Sequence, residues 1–218
     1  MEHADDLQRA FLQSLDRSRA ESYPFRHWLL DDAFTPAACR AVSELPFEPP
    51  AVGDTLGKRE THNSTRTFFS PENRRRFPIC EALAGAMQSD ATVSHLSRVC
   101  DVDLKGSYLR IEYCQDTGGF WLEPHTDIGA KLFTMLVYLS EEPRSENWGT
   151  DIYAGDGTHA GSAPYGFNRG LVFVPGSDTW HGFEPGTLDG VRKSLIVNYV
   201  KDEWRSRHEL AFPDCPVP

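Results

Sequence analysis

The sequence has no apolar run long enough to cross a membrane, which would take about 20 consecutive residues. It has no internal repeat and no low-complexity linker. It also lacks any paired cysteine pattern. Cys39, Cys80, Cys100, Cys114 and Cys215 are odd in number, scattered, and form no CxxC pair. That argues against a disulfide framework and a structural zinc site, and it points to a reducing, cytoplasmic setting. The opening Met1-Glu2-His3-Ala4-Asp5-Asp6 is acidic and has no apolar stretch, so no signal peptide is expected. Without secretion the sequon Asn63-Ser64-Thr65 carries no meaning. Positive charge is scarce as well: 22 Lys and Arg stand against 32 Asp and Glu, a net charge of -10. Such a chain is repelled by phosphate backbones and anionic lipid, so neither nucleic acid nor membrane is an expected partner. The basic run Arg74-Arg75-Arg76 reads as a solvated helix end.

What is present suits one domain over 1–218, since 218 residues at 39% hydrophobic are ample for a buried core. Residues 1–100 read as mostly helical. Leu7, Phe11 and Leu15 follow helical spacing within 4–20. Thr35-Pro36 and Ser70-Pro71-Glu72 are helix starts, a capping hydroxyl followed by proline at the first helical position. Further helices are predicted near 79–87 and 91–99. Over 101–205 the texture changes to short apolar or alternating runs: 108–113, 132–139, 151–153, 171–174, 179–183 and 194–200. Glycine, proline, asparagine and aspartate punctuate them. The predicted fold is mainly β with flanking helices, a jelly roll with its N-terminal helices packed on one side. Two irregular stretches, 48–66 and 141–170, are either covers for a site or plain surface. The second is longer than an ordinary connection.

The chemistry gathers around His125-Thr126-Asp127. Residues i and i+2 of an extended backbone point the same way, so an imidazole and a carboxylate are presented together. His181, in the run Thr179-Trp180-His181-Gly182-Phe183, is the best third ligand. Two histidines and one carboxylate on one face of an octahedron leave open positions, which suits non-haem Fe(II). His3, His27, His62, His95, His159 and His208 lack such a context and read as structural or exposed.

Strand parity adds a second element. Over 132–139 one face carries Leu132, Thr134, Leu136 and Tyr138. Over 192–200 one face carries Arg192, Ser194, Ile196, Asn198 and Val200. If these faces line the interior, Arg192 is buried and needs an anionic partner. Guanidinium matches a carboxylate bidentately, so a dicarboxylate could bridge from the metal to Arg192. Parity alone leaves open the alternative, a solvent-facing surface with Arg192 upon it.

The order of these features resembles the Fe(II)/2-oxoglutarate-dependent dioxygenase superfamily, in its prolyl-4-hydroxylase-like branch. The likeness runs through Leu109-Arg110-Ile111-Glu112-Tyr113, His125-Thr126-Asp127, Phe133-Thr134-Met135-Leu136-Val137-Tyr138-Leu139, Trp148-Gly149-Thr150-Asp151, Thr179-Trp180-His181-Gly182-Phe183 and Arg192-Lys193-Ser194-Leu195. The segments Tyr23-Pro24-Phe25 and Asp31-Asp32-Ala33-Phe34 look like the usual lead-in. The resemblance implies a double-stranded β-helix with Fe(II) on His125, Asp127 and His181, and 2-oxoglutarate and O2 as cosubstrates. It implies that Arg192 meets the distal carboxylate of 2-oxoglutarate, with Tyr138 sharing it and Thr134 alongside. Tyr113 would reach the metal end, and Ser194 follows Arg192 as the pattern expects. One departure is Trp148-Gly149, where the branch usually shows Gly-Gly. Trp148 either shapes the pocket or anchors a loop.

The implied reaction is hydroxylation of an unactivated C–H bond, with release of succinate and CO2. Asp127 leaves no ligand position for a halide. The acidic surface and small size favour a small-molecule substrate, such as an amino acid or a biosynthetic intermediate, over a peptidyl residue. Arg110, Trp121, Glu123, Lys131, Trp148 and residues 62–66 are candidates for the mouth of the site. The rival classes are a cupin-type enzyme using another metal and a jelly-roll binding module.

Overall fold

The computed structural model describes residues 3–51, 53–58, 66–186 and 188–218. The predicted helix starts are present. Helix α2 (Pro36–Ser43) opens with the Thr35 hydroxyl accepting from the Ala38 N–H at 3.2 Å. Helix α3 (Pro71–Arg76) opens with the Ser70 hydroxyl accepting from the Asn73 N–H at 3.4 Å. Helices α4 (Pro78–Gln88) and α5 (Asp90–Cys100) fall where the periodicity puts them. Helix α1 (Ala4–Asp16) stops short of residue 20. Beyond Leu15 the segment Arg17-Ser18-Arg19 offers nothing apolar to bury, and Arg19–Glu21 forms strand β1 instead.

Two more strands lie in the half read as mostly helical: β2 (His27–Leu30) and β3 (Thr67–Phe68). Strand β2 is covered on both faces, so it shows a continuous apolar run rather than alternation. The jelly-roll strands are β4 (Tyr108–Asp116), β5 (Leu122–His125), β6 (Lys131–Tyr138), β7 (Asp151–Tyr153), β8 (His159–Ser162), β9 (Gly170–Phe173), β10 (His181–Phe183) and β11 (Arg192–Val200). Strand β8 lies inside the stretch read as irregular.

A seven-stranded sheet runs in the order β1-β2-β9-β6-β11-β4-β3, and a four-stranded sheet in the order β5-β10-β7-β8. Every pairing is antiparallel. From β4 to β11 the chain passes back and forth between the two sheets, which is a double-stranded β-helix. The helices cover the outer face of the larger sheet. There Leu7, Phe11, Leu83, Met87, Ile111 and Val197 belong to one apolar cluster. A second cluster lies between the sheets and includes Phe25, Leu136, Trp148, Tyr165, Leu171 and Phe183. Strand parity therefore sends one face of β4, β6 and β11 to the helices and the other to the interior. The four buried cysteines and the exposed Cys215 are all free thiols. No helix among the described residues is long and apolar enough to cross a membrane.

Candidate metal centre and its cavity

Strands β5 and β10 pair so that His125 stands directly opposite His181. Gly182 permits the approach, since a Cβ there would meet the Leu122 carbonyl oxygen at 2.8 Å and that of Glu123 at 3.3 Å. Pro124 is tolerated because β5 is an edge strand. The imidazole rings lie 4.4 Å apart, centroid to centroid. His125, Asp127 and His181 each offer one ligand atom, and these atoms all fall within 4.8 Å of one another. The three residues so brought together are those expected from the sequence.

Hydrogen bonds fix the orientation of each ligand. His125 Nδ1 lies 2.8 Å from the Glu123 carbonyl, and His181 Nδ1 lies 2.9 Å from that of Thr179. A carbonyl only accepts, so each Nδ1 carries the proton and each Nε2 keeps its lone pair for a metal. Asp127 accepts from Lys131 Nζ on Oδ1 at 2.5 Å and from the Thr134 hydroxyl on Oδ2 at 2.7 Å. Burial works against ionising Asp127, but the Lys131 charge, His181 and these hydrogen bonds outweigh it and hold the carboxyl down at about 2. Burial pushes His181 down to about 4, helped by His125 and opposed by Asp127. At neutral pH the set is therefore an ionised carboxylate and a neutral imidazole, ready to bind a metal without first losing a proton.

The ligands open on a cavity of about 350 Å³. At one end stands Arg192, 3% exposed. Its Nε donates to the Trp148 carbonyl at 2.7 Å, Nη1 to Asp116 Oδ2 at 2.7 Å, and Nη2 to the Thr150 hydroxyl at 3.3 Å. Its guanidinium lies 4.8 Å from the ring centre of Phe183 and 5.7 Å from that of Tyr138. The buried alternative for Arg192 thus holds over the surface one, but its anionic partner is the chain's own Asp116. Elsewhere on the cavity wall Arg110 donates to Glu209 at 2.6 Å, Glu112 at 2.8 Å and Asn198 at 3.0 Å. Arg66 grips Glu112 with two bonds of 3.0 and 2.7 Å. Asn198 donates to Thr134, and Thr134 donates to Asp127, so an unbroken chain links this network to the metal ligand.

Tyr138 lies beside Arg192 on the interior face, fully buried, with its hydroxyl in contact with Thr150 Oγ1 and N–H at 3.1 Å. Ser194 also faces the interior, and its buried hydroxyl has no hydrogen-bond partner among the described residues. Thr134 lines the cavity, but its hydroxyl is engaged by Asp127 and Asn198. Tyr113 requires a correction. It belongs to the opposite parity of β4 from Arg110 and Glu112, joins the core under the helices, and bonds the Ser43 carbonyl at 3.2 Å. It does not reach the metal end.

Of the candidates for the mouth, Arg66, Arg110, Glu123 and Lys131 line the cavity. Residues 62–65 fall outside the described residues. Trp121 instead donates to Asp54 at 2.7 Å. Trp148 is an anchor rather than a pocket wall. Its ring is 1% exposed, packed edge-on against Tyr165, while its carbonyl holds Arg192. The neighbouring Gly149 has no room for a Cβ, which would overlap the Ala163 carbonyl oxygen. Asp116, Thr150 and Glu112 were missed, and Asn198, read onto the polar face of its strand, was given no role. The alternation of Arg110, Glu112 and Asp116 along an otherwise apolar strand was the available signal.

No protein-family model and no curated protein matches the sequence. Solved structures do match the fold. A Pseudomonas putida prolyl-4-hydroxylase superposes with a TM-score of 0.56 at 15% identity, covering 92% of this chain and 96% of that one. A Trichoplax adhaerens prolyl hydroxylase, in complex with a hypoxia inducible factor oxygen degradation domain peptide fragment, gives 0.61 at 14% identity, covering 91% of each chain. A Burkholderia pseudomallei oxidoreductase of the 2OG-Fe(II) oxygenase family gives 0.54 at 11%, covering 92% and 93%. The chain has the double-stranded β-helix fold of these 2OG-Fe(II) oxygenases and is similar in structure to their prolyl-4-hydroxylase members.

Proposed function

We propose that this protein is an Fe(II)- and 2-oxoglutarate-dependent oxygenase that hydroxylates an unactivated C–H bond of a small molecule. The observation that carries the reading is the His125, Asp127 and His181 set opening on a cavity that has Arg192 at its other end. The donor set fits iron: two imidazole nitrogens and one carboxylate oxygen are the ligand types of non-haem Fe(II) oxygenases. The far end fits a carboxylate. Arg192 has five N–H donors and engages three among the described residues, where the Ser194 hydroxyl, two residues on along the same face, has no partner.

In this reading His125, Asp127 and His181 would hold the metal and Arg192 would receive the distal carboxylate of 2-oxoglutarate. Bound iron supplies the oxidising power, by coupling decarboxylation of 2-oxoglutarate to activation of O2. The chain supplies orientation. Thr134 and Lys131 hold Asp127, the backbone carbonyls of Glu123 and Thr179 hold the imidazoles, and Phe183 with Leu136 lines the apolar wall between the two ends. The substrate lies on the side of Arg110, Glu112 and Arg66. The cavity volume suits a small molecule such as an amino acid or a biosynthetic intermediate. A peptidyl substrate is the second reading. Leu56 and Ile128 are 66% and 60% exposed beside cavity-lining Gly57 and Asp127, an apolar rim on which a longer chain could rest.

The test is Fe(II)- and O2-dependent conversion of 2-oxoglutarate to succinate, with candidate metabolites and peptides screened for a hydroxylated product. His181→Ala is expected to abolish turnover. Undiminished succinate formation by that variant, or catalysis that ignores 2-oxoglutarate, would sink the reading and favour a metalloenzyme of another class.

A further inference from the structure

Arg192, which lines the cavity, is already paired with an acid that a dicarboxylate site does not call for. Asp116 ends β4 directly opposite Arg192, the first residue of β11. Their side chains are 5% and 3% exposed and meet at 2.7 Å. Water and salt screen such a pair weakly. The guanidinium that would receive the distal carboxylate of 2-oxoglutarate thus already carries a carboxylate. We propose that Asp116 is the specificity-determining residue at this end: it competes for Arg192 and removes the advantage of a charged distal group over a neutral one. This rests on the function proposed above.

With a dicarboxylate in place, two carboxylates meet at Arg192, and like charges side by side oppose one another. A neutral terminal amide avoids the conflict. Its carbonyl can accept from Arg192 without bringing a second negative charge to it. Removing the Asp116 charge would not set Arg192 adrift, because the Trp148 carbonyl, the Thr150 hydroxyl and the faces of Phe183 and Tyr138 still hold it. The expected effect of Asp116→Asn is therefore tighter binding of the dicarboxylate, not looser.

Titration calorimetry on the Mn(II)-loaded protein without O2 tests this apart from turnover. The ligands are 2-oxoglutarate and 2-oxoglutaramate, its terminal amide. Wild type is expected to bind the two within about tenfold of each other, and Asp116→Asn to bind 2-oxoglutarate at least about tenfold tighter with the amide little changed. A wild-type preference for the dicarboxylate beyond that margin overturns the proposal, and this arm stands even if the variant fails to fold. So does a folded Asp116→Asn protein that binds 2-oxoglutarate no tighter. If wild type binds neither ligand, the oxygenase reading itself falls and takes this one with it. Binding of both that ignores Asp116 overturns the role of Asp116 alone.

Discussion

The larger sheet has two buried faces, and they are buried in different ways. Toward the helices, β4, β6 and β11 present Leu109, Ile111, Met135, Val137, Leu195 and Val197, all within one apolar cluster. Toward the smaller sheet the same strands present Arg110, Glu112, Asp116, Thr134, Arg192 and Asn198, none more than 4% exposed. The first face is held by packing, which tolerates rearrangement. The second is held by hydrogen bonds and ion pairs that must each find a partner, because an unpaired buried charge is costly. A single residue step along a strand separates the two regimes. The protein thus holds one side of these strands by apolar packing and the other by a polar network beside the candidate metal ligands.

That contrast can be broken by mutation. The largest effect is expected for Arg110→Ala, which takes the buried cation from Glu209 and leaves Glu112 to Arg66. Thermal or denaturant unfolding should show a loss of about 3–5 kcal/mol, since removing one partner strands buried charge. Arg110→Lys should rescue little, because one ammonium cannot reproduce a fork that reaches Glu112, Glu209 and Asn198. A loss under about 1 kcal/mol for the alanine variant would show that the network does not hold the interior face. Leu195→Ala, one step over on the helix face, should cost about 2–5 kcal/mol through the cavity it leaves. Its signature is different: metal affinity, measured on the folded protein, should stay at the wild-type value. A large fall in metal affinity there would mean that the two faces are not separable.

The same contrast explains what was legible in the sequence. Local signals were readable: the capped starts of α2 and α3, the His125-Thr126-Asp127 triplet, and the parity that grouped Arg192 with Ser194 and Asn198 while leaving open which way that face looked. The pairing that gives Arg192 its anion was not, because Asp116 lies 76 residues away and only the β4–β11 register brings the two together. Strand β2 hid because burial on both faces erases alternation. Strand β8, with a glycine and a serine among its four residues, hid inside a loop-like composition. Tyr113 was misplaced for a different reason. The resemblance supplied a tyrosine near the metal end, while the alternation of Arg110 and Glu112 already placed residue 113 on the other face.

Tyr113 therefore offers the finest probe of the comparison, and the smallest expected effect. Its hydroxyl meets the Ser43 carbonyl beneath the helices, and burial pushes its ionisation up, so it is a neutral donor at any working pH. Tyr113→Phe removes that bond and leaves the ring in place. The cost should be about 0.5–1.5 kcal/mol in unfolding, the ordinary net worth of one hydrogen bond. Binding of 2-oxoglutarate to the Mn(II)-loaded protein should not change. A residue that touched the cosubstrate would behave in the opposite way, with affinity falling several-fold and stability hardly moving. The ratio of those two effects, read on one variant, decides which face of β4 the tyrosine serves, and a fall in affinity would return it to the metal end.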